Sequence, residues 1–179
     1  MNQISPKRAV VPGGDRWHLA RNGEEARLAS FELSLERLMH AYYAWKSACL
    51  AAVADGPFSG NDTAVLNTIR MRDRAKGLSE ISKLLNREDI SNIQYSIRKL
   101  LKAGFIEKAD PASRKDTLYR MTAAGRRVTN AYADLRATLL LSLTRSIGEP
   151  SESFLGAEQF LNLMTGMYDQ AGKLAAARR

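Results

Sequence analysis

The sequence is poor in the residues that build disulfides and metal sites. It contains one cysteine, Cys49, so no disulfide can form within the chain. Its two histidines, His18 and His40, lie far apart in the sequence and have no cysteine or paired carboxylate near them. Zinc sites in proteins combine several such ligands around one ion. The sequence therefore predicts no metal site, and nothing in it calls for a cofactor.

Motifs of catalysis and of membrane association are also missing. The sequence has no glycine-rich phosphate loop, no nucleophile elbow and no zinc-protease motif, and its acids are scattered, so we expect no catalytic residues and no enzyme. No apolar run approaches the roughly 20 residues that span a bilayer. Only three apolar residues separate Lys7 and Arg8 from Pro12, which is too few for the core of a signal peptide. We expect a cytoplasmic protein that makes no contact with a membrane.

Positive charge, in contrast, is abundant and clustered. The chain of 179 residues carries a net charge of +8. Residues 76–127, called the basic segment below, hold twelve lysines and arginines against six acids, so they contribute six of these eight charges. A clustered excess of this kind is typical of a surface that contacts the phosphates of nucleic acid. A solvated surface on a basic protein is the alternative explanation.

A short amphipathic helix is predicted in the middle of the basic segment. Ile93, Ile97, Leu100 and Leu101 recur at helical spacing and should face the core, and Gly104 is placed to end the helix. The opposite side carries amide, hydroxyl and cationic groups, the chemistry that contacts base edges and phosphates. We call this side the reading face; its residues are Ser91, Asn92, Gln94, Tyr95, Arg98, Lys99 and Lys102.

A hairpin is predicted directly after this helix. Residues 105–108 and 117–121 have the pattern of two short strands, and the polar loop between them carries Arg114 and Lys115 at its tip. A shorter helix at residues 79–86 precedes the amphipathic helix across the turn at residues 87–89. Two helices joined by a turn and followed by a hairpin with a basic tip form the layout of a winged helix-turn-helix.

In this layout the sequence resembles the MarR family of bacterial transcription regulators. The resemblance rests on four stretches: residues 78–85, residues 102–106 (KAGFI), the wing at residues 110–115 (DPASRK) and residues 121–126 (MTAAGR). In the family the wing typically carries Asp-Arg-Arg, and Leu-Thr-x-x-Gly-Arg follows it. This chain has Ser113-Arg114-Lys115 and a methionine in place of that leucine.

Long helices are predicted on both sides of the winged region. Apolar residues recur alternately three and four apart over residues 24–54, from residue 122 to about 147, and from residue 151 to about 177. The predicted fold is mainly α with a small β wing (α+β), a winged helix-turn-helix flanked by long N- and C-terminal dimerisation helices. The predicted divisions are a flexible arm (1–22), a first dimerisation helix (23–55), the DNA-binding region (58–122) and C-terminal dimerisation helices (122–179).

The resemblance implies a function for these parts. It implies a homodimer that binds double-stranded DNA at an inverted repeat, with Arg114 in the minor groove and Lys115 on a phosphate, and that represses or activates transcription. It also implies a small-molecule effector, bound where the dimerisation helices meet the winged region. His40, Tyr43 and Trp45 are the candidate residues for the wall of that effector site.

Two alternatives stay open at the level of sequence. Winged helices also serve as protein-docking modules, in which case the polar face around Gln94 would contact a protein. Some relatives in the family sense oxidants through a cysteine. Here Cys49 lies on the apolar stripe beside Trp45 and Ala52, where a buried and inert thiol is the ordinary expectation.

Overall fold

The structure, a computed structural model, describes residues 17–110, 117–145 and 150–178. In these ranges the chain is mostly helical and has one small sheet. The helices are α1 (Gly23–Ala51), α2 (Gly60–Arg70), α3 (Leu78–Leu84), α4 (Ile90–Lys102), α5 (Ala123–Arg136), α6 (Ser142–Arg145) and α7 (Pro150–Ala176). The strands are β1 (Lys76–Gly77), β2 (Ile106–Lys108) and β3 (Leu118–Met121). The mainly helical winged-helix fold predicted from the sequence is confirmed.

The chain divides into two compact units, Met1–Asn130 and Ala131–Arg179. The first unit contains α1 to α4, the sheet and the start of α5. The second contains the rest of α5 together with α6 and α7. No helix in the described part of the chain combines the length and the apolar character needed to cross a bilayer.

Helix α1 buries apolar side chains near its end and leaves others exposed farther back. It begins at the Asn22 cap, whose side chain accepts hydrogen bonds from the backbone amides of Glu24 and Glu25 at 3.0 and 2.9 Å. Near its end Cys49 and Leu50 are buried in the core. Farther back along the predicted stripe, Leu28, Leu38 and Tyr42 are each about half exposed. Apolar side chains left open in this way favour contact with another surface.

Helix α2 supplies the centre of the core in the first unit. Its start is a capping box: the Ser59 amide donates to the Asp62 carboxylate at 2.8 Å, and the Asp62 amide donates to the Ser59 hydroxyl at 3.2 Å. In the sequence, Ser59 and Asp62 fit the S-x-x-D signal for the start of a helix, and the structure confirms that prediction. Val65, Leu66 and Ile69 follow on its buried face, as their spacing predicts.

Helix α4 ends where the sequence predicts. Gly104 adopts a positive φ of 70°, which glycine reaches without the strain that a Cβ brings. The amide of Gly104 donates to the Leu101 carbonyl and that of Phe105 to the Leu100 carbonyl, both at 3.0 Å. These two bonds are the Schellman pattern, and they direct the chain from the helix into β2.

The sheet has three antiparallel strands in the order β1-β3-β2. The two hairpin strands β2 and β3 were predicted. The third strand, β1, is only two residues long and was missed, because so short a segment carries no alternating pattern. It fixes the start of α3 to the sheet through its pairing with β3.

The predicted helix from residue 122 is interrupted in the second unit. Thr122 caps α5, since its hydroxyl accepts a hydrogen bond from the Gly125 amide at 3.0 Å. After Arg136 the chain passes through a π-helical segment, Ala137–Leu141, before α6 begins. Helix α7 matches its predicted range within a residue at each end and leaves a long row of apolar side chains exposed, including Leu163, Met167 and Leu174.

Candidate nucleic-acid interface

Helix α4 separates an apolar side from a polar side, as its sequence predicts. Ile93, Ile97 and Leu100 are buried at 2% exposure or less, and they hold the helix against the core of the first unit. On the other side, six of the seven residues of the reading face are exposed. These six are Ser91, Asn92, Gln94, Tyr95, Arg98 and Lys102.

Lys99 does not share that exposure. Its ammonium forms an ion pair with the buried Asp62 carboxylate and donates to the Pro57 carbonyl at 2.7 Å. The rings of Phe58 and Tyr95 lie 5.5 and 5.8 Å from the same nitrogen. The structure therefore gives the Lys99 side chain a full set of partners inside the chain, in a position that joins α4 to α2.

The Asp62 carboxyl is the other half of this joint. Burial alone raises its pKa, but Lys99, the backbone and side chain of Ser59 and the side chain of Ser96 together lower the pKa below the usual aspartate value. The carboxylate thus stays charged at neutral pH in the interior. One side chain caps α2 and also anchors α4, so the orientation of the reading face depends on it.

The turn before α4 neutralises its own acids. Arg87 pairs with Asp89, with 2.7 Å between Nε and Oδ1, and its other end donates to the Asn61 side chain at 3.0 Å. The Asn92 amide group also donates to Asp89 at 2.9 Å. Arg87 first and Asn92 second hold the pKa of the Asp89 carboxyl well below its usual range. The sequence favours Asp89 as the N-cap of α4. Asp89 does occupy that position, but its carboxylate makes no capping bond, because the side chains of Arg87 and Asn92 bind it.

Many cations of the basic segment are already paired. Arg87, Lys99, Arg120 and Arg126 each form an ion pair with a carboxylate of the chain. Of residues 76–110 and 117–127, which the structure describes, five lysines and arginines are both exposed and outside any ion pair. This set is Lys83, Arg98, Lys102, Lys108 and Arg127.

Lys76 shows why a count of charges overstates the basic surface. Its side chain is fully buried, and its ammonium donates to the carbonyls of Ile69, Met71 and Arg74. Burial, and next the charge of Arg74, lower the pKa of this lysine. By sequence alone, Lys76 counts among the cations of the basic segment. No local signal corrects that count, because a strand of two residues shows no alternating pattern of burial.

The two strands of the wing have distinct faces. Glu107 and Arg120 are paired across β2 and β3 and form a salt bridge of 2.8 Å on one face of the sheet. Ile106 and Met121 are paired on the other face and are buried. Arg114 and Lys115 lie outside the described residues, so their assignment to the wing tip stays a prediction.

The three candidate effector residues do not form one wall of α1. Tyr43 and Trp45 are two residues apart, which places them about 200° apart around the helix axis. His40 is exposed and lies 3.9 Å from Glu36 on the same helix. His40 and Tyr43 are three residues apart and share one side of α1, whereas Trp45 lies on the other side, so the three stay a prediction that α1 alone does not bring together.

A cation beside Tyr43 was not predicted from the sequence. Lys46 is only 6% exposed, and its ammonium lies 4.8 and 5.0 Å from the ring centres of Tyr42 and Tyr43. Burial first, and the charge of Arg87 second, lower the pKa of Lys46. Lys46 is three residues after Tyr43 and four after Tyr42, so the sequence places it near both rings. It does not show that the lysine is buried, because α1 carries polar and apolar residues on several sides.

Cys49 is buried at 1% exposure. Oxidant sensing needs an accessible thiolate, and this position offers a peroxide no direct approach. In the part of the chain that the structure describes, no three histidine, cysteine, aspartate or glutamate residues come together as a metal site would require.

Comparisons with known proteins agree with this geometry. Residues 58–125 match the winged helix DNA-binding domain family. A MarR family transcription regulator of known structure superposes with a TM-score of 0.63 at 18% identity, over 83% of this chain and 95% of its own. The PcaV transcriptional regulator from Streptomyces coelicolor, in complex with its natural ligand, gives 0.55 at 20% identity over 87% and 97%. CouR from Rhodococcus jostii, bound to p-coumaroyl-CoA, gives 0.58 at 15% identity over 75% and 91%. No curated protein matches the chain by sequence.

Proposed function

From a chain with the winged-helix fold of MarR family regulators, we propose a transcription regulator of that family that binds specific double-stranded DNA as a homodimer. The observation that carries this proposal is the exposed polar side of α4, which presents Gln94, Tyr95 and Arg98 on a helix whose other side is fixed in the core. In a winged helix-turn-helix this helix enters the major groove. The wing, for which the sequence predicts Arg114 and Lys115 at the tip, would lie along the flanking minor groove, where narrow A·T tracts attract arginine.

The test is binding to DNA measured by fluorescence anisotropy. The protein is titrated against the duplex upstream of its own coding sequence and against a scrambled duplex, at two salt concentrations. Tight binding that prefers the upstream duplex and weakens steeply with salt supports a specific regulator, because each phosphate contact releases counterions. Weak and equal binding to both duplexes contradicts the proposal and leaves a protein-docking module as the better explanation.

Gln94 is the residue of α4 best suited to read a base. Its amide can donate to and accept from adenine in the major groove, and such a pair contributes on the order of 1–3 kcal/mol of discrimination. We expect Gln94→Ala to lose about tenfold in preference for the correct base while the protein keeps its melting temperature. Selection of binding sites from a random duplex pool measures the preference. An unchanged profile would remove Gln94 from the base-reading set.

A second copy of the chain is the proposed partner for the exposed apolar row of α7. Leu163, Met167 and Leu174 lie four and seven residues apart, a spacing that puts them on one side of the helix, and each is more than half exposed. A monomer in water gains nothing from such a row. Two-fold symmetry of the dimer then predicts an inverted-repeat operator with half-sites roughly one helical turn, about 34 Å, apart.

The dimer is tested by light scattering. We expect a mass near twice the 19.9 kDa of one chain for the wild-type protein. Met167→Glu should shift it toward a single chain, because the added carboxylate would be buried without a partner. The matched control is Thr165→Glu, which adds the same charge at an exposed residue about 200° around the helix. A wild-type mass of one chain at micromolar concentration would contradict the dimer.

A small-molecule effector completes the proposal. Ligand-bound structures of PcaV and CouR share this fold, which supports a ligand-responsive regulator. Among the three candidate effector residues of α1, Tyr43 is the one with a cation beside it, since the buried Lys46 ammonium lies 5.0 Å from the centre of its ring. A cation beside a phenol suits an anionic aromatic ligand.

A further inference from the structure

A recess of about 310 Å³ lies between helix α4 and the two strands of the hairpin. Ile97 and Leu101 of the helix supply its apolar surface. The polar groups around it come from both the helix and the strands. They are Gln94 and Arg98 from α4, Lys108 from β2 and Tyr119 from β3.

The register of the hairpin explains why Lys108 faces the helix. Side chains alternate between the two faces of a strand. Ile106 is buried toward the core, so Lys108, two residues later, lies on the same face of β2. Its cross-strand partner is Tyr119, two residues before the buried Met121. Glu107 lies between Ile106 and Lys108 in β2, so its side chain points to the opposite face of the sheet, where it forms a salt bridge with Arg120.

The two cations of the recess have no carboxylate. Arg98 and Lys108 are both exposed and belong to no ion pair of the described residues. The acid nearest to Lys108 in sequence is Glu107, and its carboxylate binds Arg120 at 2.8 Å on the other face. Two cations, a phenol hydroxyl and an amide therefore converge on a recess that no anion of the described residues fills.

We propose that this recess binds one backbone phosphate of the DNA duplex, with Lys108 and Arg98 as its cationic ligands and Tyr119 as a hydroxyl donor. The inference rests on the proposed function. A helix in the major groove and a wing in the neighbouring minor groove stand on either side of one sugar-phosphate strand. The junction between α4 and the hairpin faces that strand. Lysine, arginine and tyrosine are common donors to phosphate oxygens, and such contacts set the register without reading sequence.

The test compares Lys108→Ala with the wild-type protein against the upstream duplex and the scrambled duplex over a range of salt. We expect about a tenfold loss of affinity for both duplexes, equal within error, since a bond to a charged group is removed without any base contact. The slope of log affinity against log salt should become shallower by about one, because one fewer phosphate is neutralised. Lys108→Arg should recover most of the affinity, and Tyr119→Phe should lose a smaller part of it.

Lys173→Ala is the matched control. It removes one exposed lysine from α7, outside the winged region, and so changes the net charge by the same amount. We expect it to leave affinity and salt slope close to wild type. Thermal melts of all variants check the fold; Lys108 is exposed, so its removal should not change the melting temperature.

The possible results separate this inference from the proposed function. If the wild-type protein binds the upstream duplex specifically and Lys108→Ala leaves affinity and slope unchanged, the phosphate site is wrong and the regulator stands. A loss of affinity for the upstream duplex alone would identify Lys108 as a base contact and would also contradict the phosphate site. Wild-type protein that binds neither duplex overturns both. Inorganic phosphate should compete with DNA no better than chloride at equal ionic strength; stronger competition that depends on Lys108 would identify a site for free phosphate instead.

Discussion

Replacing Gly125 with alanine is expected to cost more than about 4 kcal/mol of stability, a large part of the roughly 5–15 kcal/mol that stabilises a folded protein. An added Cβ would lie 1.9 Å from the carbonyl oxygen of Phe105 and 2.8 Å from its carbonyl carbon. Both atoms belong to the backbone and cannot rotate away. The start of α5 would have to separate from the entry of β2.

The same carbonyl already organises this junction. The backbone amide and the hydroxyl of Thr122 both donate to the Phe105 oxygen at 3.1 Å, and the Gly125 amide donates to the Thr122 hydroxyl. A displaced helix start would break these bonds in addition to the clash. The destabilisation should therefore appear in the whole first unit rather than in α5 alone.

Gly172→Ala is the control for the Gly125 variant. Gly172 lies in α7 on the side of the helix opposite Leu163, and an added Cβ there has no atom within 4 Å. Alanine in a helix interior is favoured over glycine by up to about 1 kcal/mol, so this variant should be as stable as wild type or more so. Urea denaturation followed by circular dichroism at one protein concentration measures both. A Gly125→Ala midpoint within error of wild type would show that Gly125 does not approach the Phe105 carbonyl this closely.

Asp62→Asn is expected to destabilise the protein by about 3 kcal/mol. The substitution keeps the size of the side chain but removes the charge that pairs with Lys99. The ammonium of Lys99 is mostly buried, and its remaining partners are one carbonyl and two rings. An ammonium held there without a counter-ion either stays at a high cost or turns outward and frees α4. The affinity for DNA should fall together with stability.

The control for Asp62 is an exposed pair. Glu80→Gln removes the partner of Arg74, and the two side chains are 34% and 50% exposed. Exposed pairs contribute about 0–1 kcal/mol, so the urea midpoint should move little. Equal effects of the two substitutions would contradict the structural role given to the Asp62–Lys99 pair.

The dependence on pH has a defined sign. The folded state lowers the pKa of Asp62, so its contribution is complete above the unfolded value of about 3.9 and is lost as pH falls through the folded pKa. The stability difference between wild type and Asp62→Asn should thus be largest at neutral pH and shrink below about pH 4. A difference that grows on acidification would contradict this assignment.

Local signals in the sequence predicted the winged region well. Gly104, the Ser59–Asp62 pair and the apolar spacing of α4 act over three to six residues, and the structure places each as predicted. Such features depend on neighbours along the chain, and these are visible in the sequence.

The sequence could not show which polar residues the fold would bury. Lys99 has the helical position of a residue on the reading face, but its partner Asp62 lies 37 residues earlier. Lys76 is buried with its ammonium on backbone carbonyls, and Lys46 is buried beside the rings of Tyr42 and Tyr43. Neither burial leaves a pattern in the sequence. Lys108 was left out of the reading face because its orientation follows from the strand register and not from composition. Helical geometry alone puts Tyr43 and Trp45 on different sides of α1. An effector site that includes both residues would therefore need a second element of the fold.

The pairing of Arg87, Arg120 and Arg126 with carboxylates of the chain has a kinetic consequence. Affinity for random DNA grows with the number of phosphates that a protein neutralises, by a salt exponent of about 0.9 for each. With five exposed, unpaired cations in the described part of the basic segment, the proposed regulator should leave random sequence sooner than a count of its charges suggests. Short stays on wrong sites leave more time for sampling others, so the internal ion pairs favour a faster genomic search.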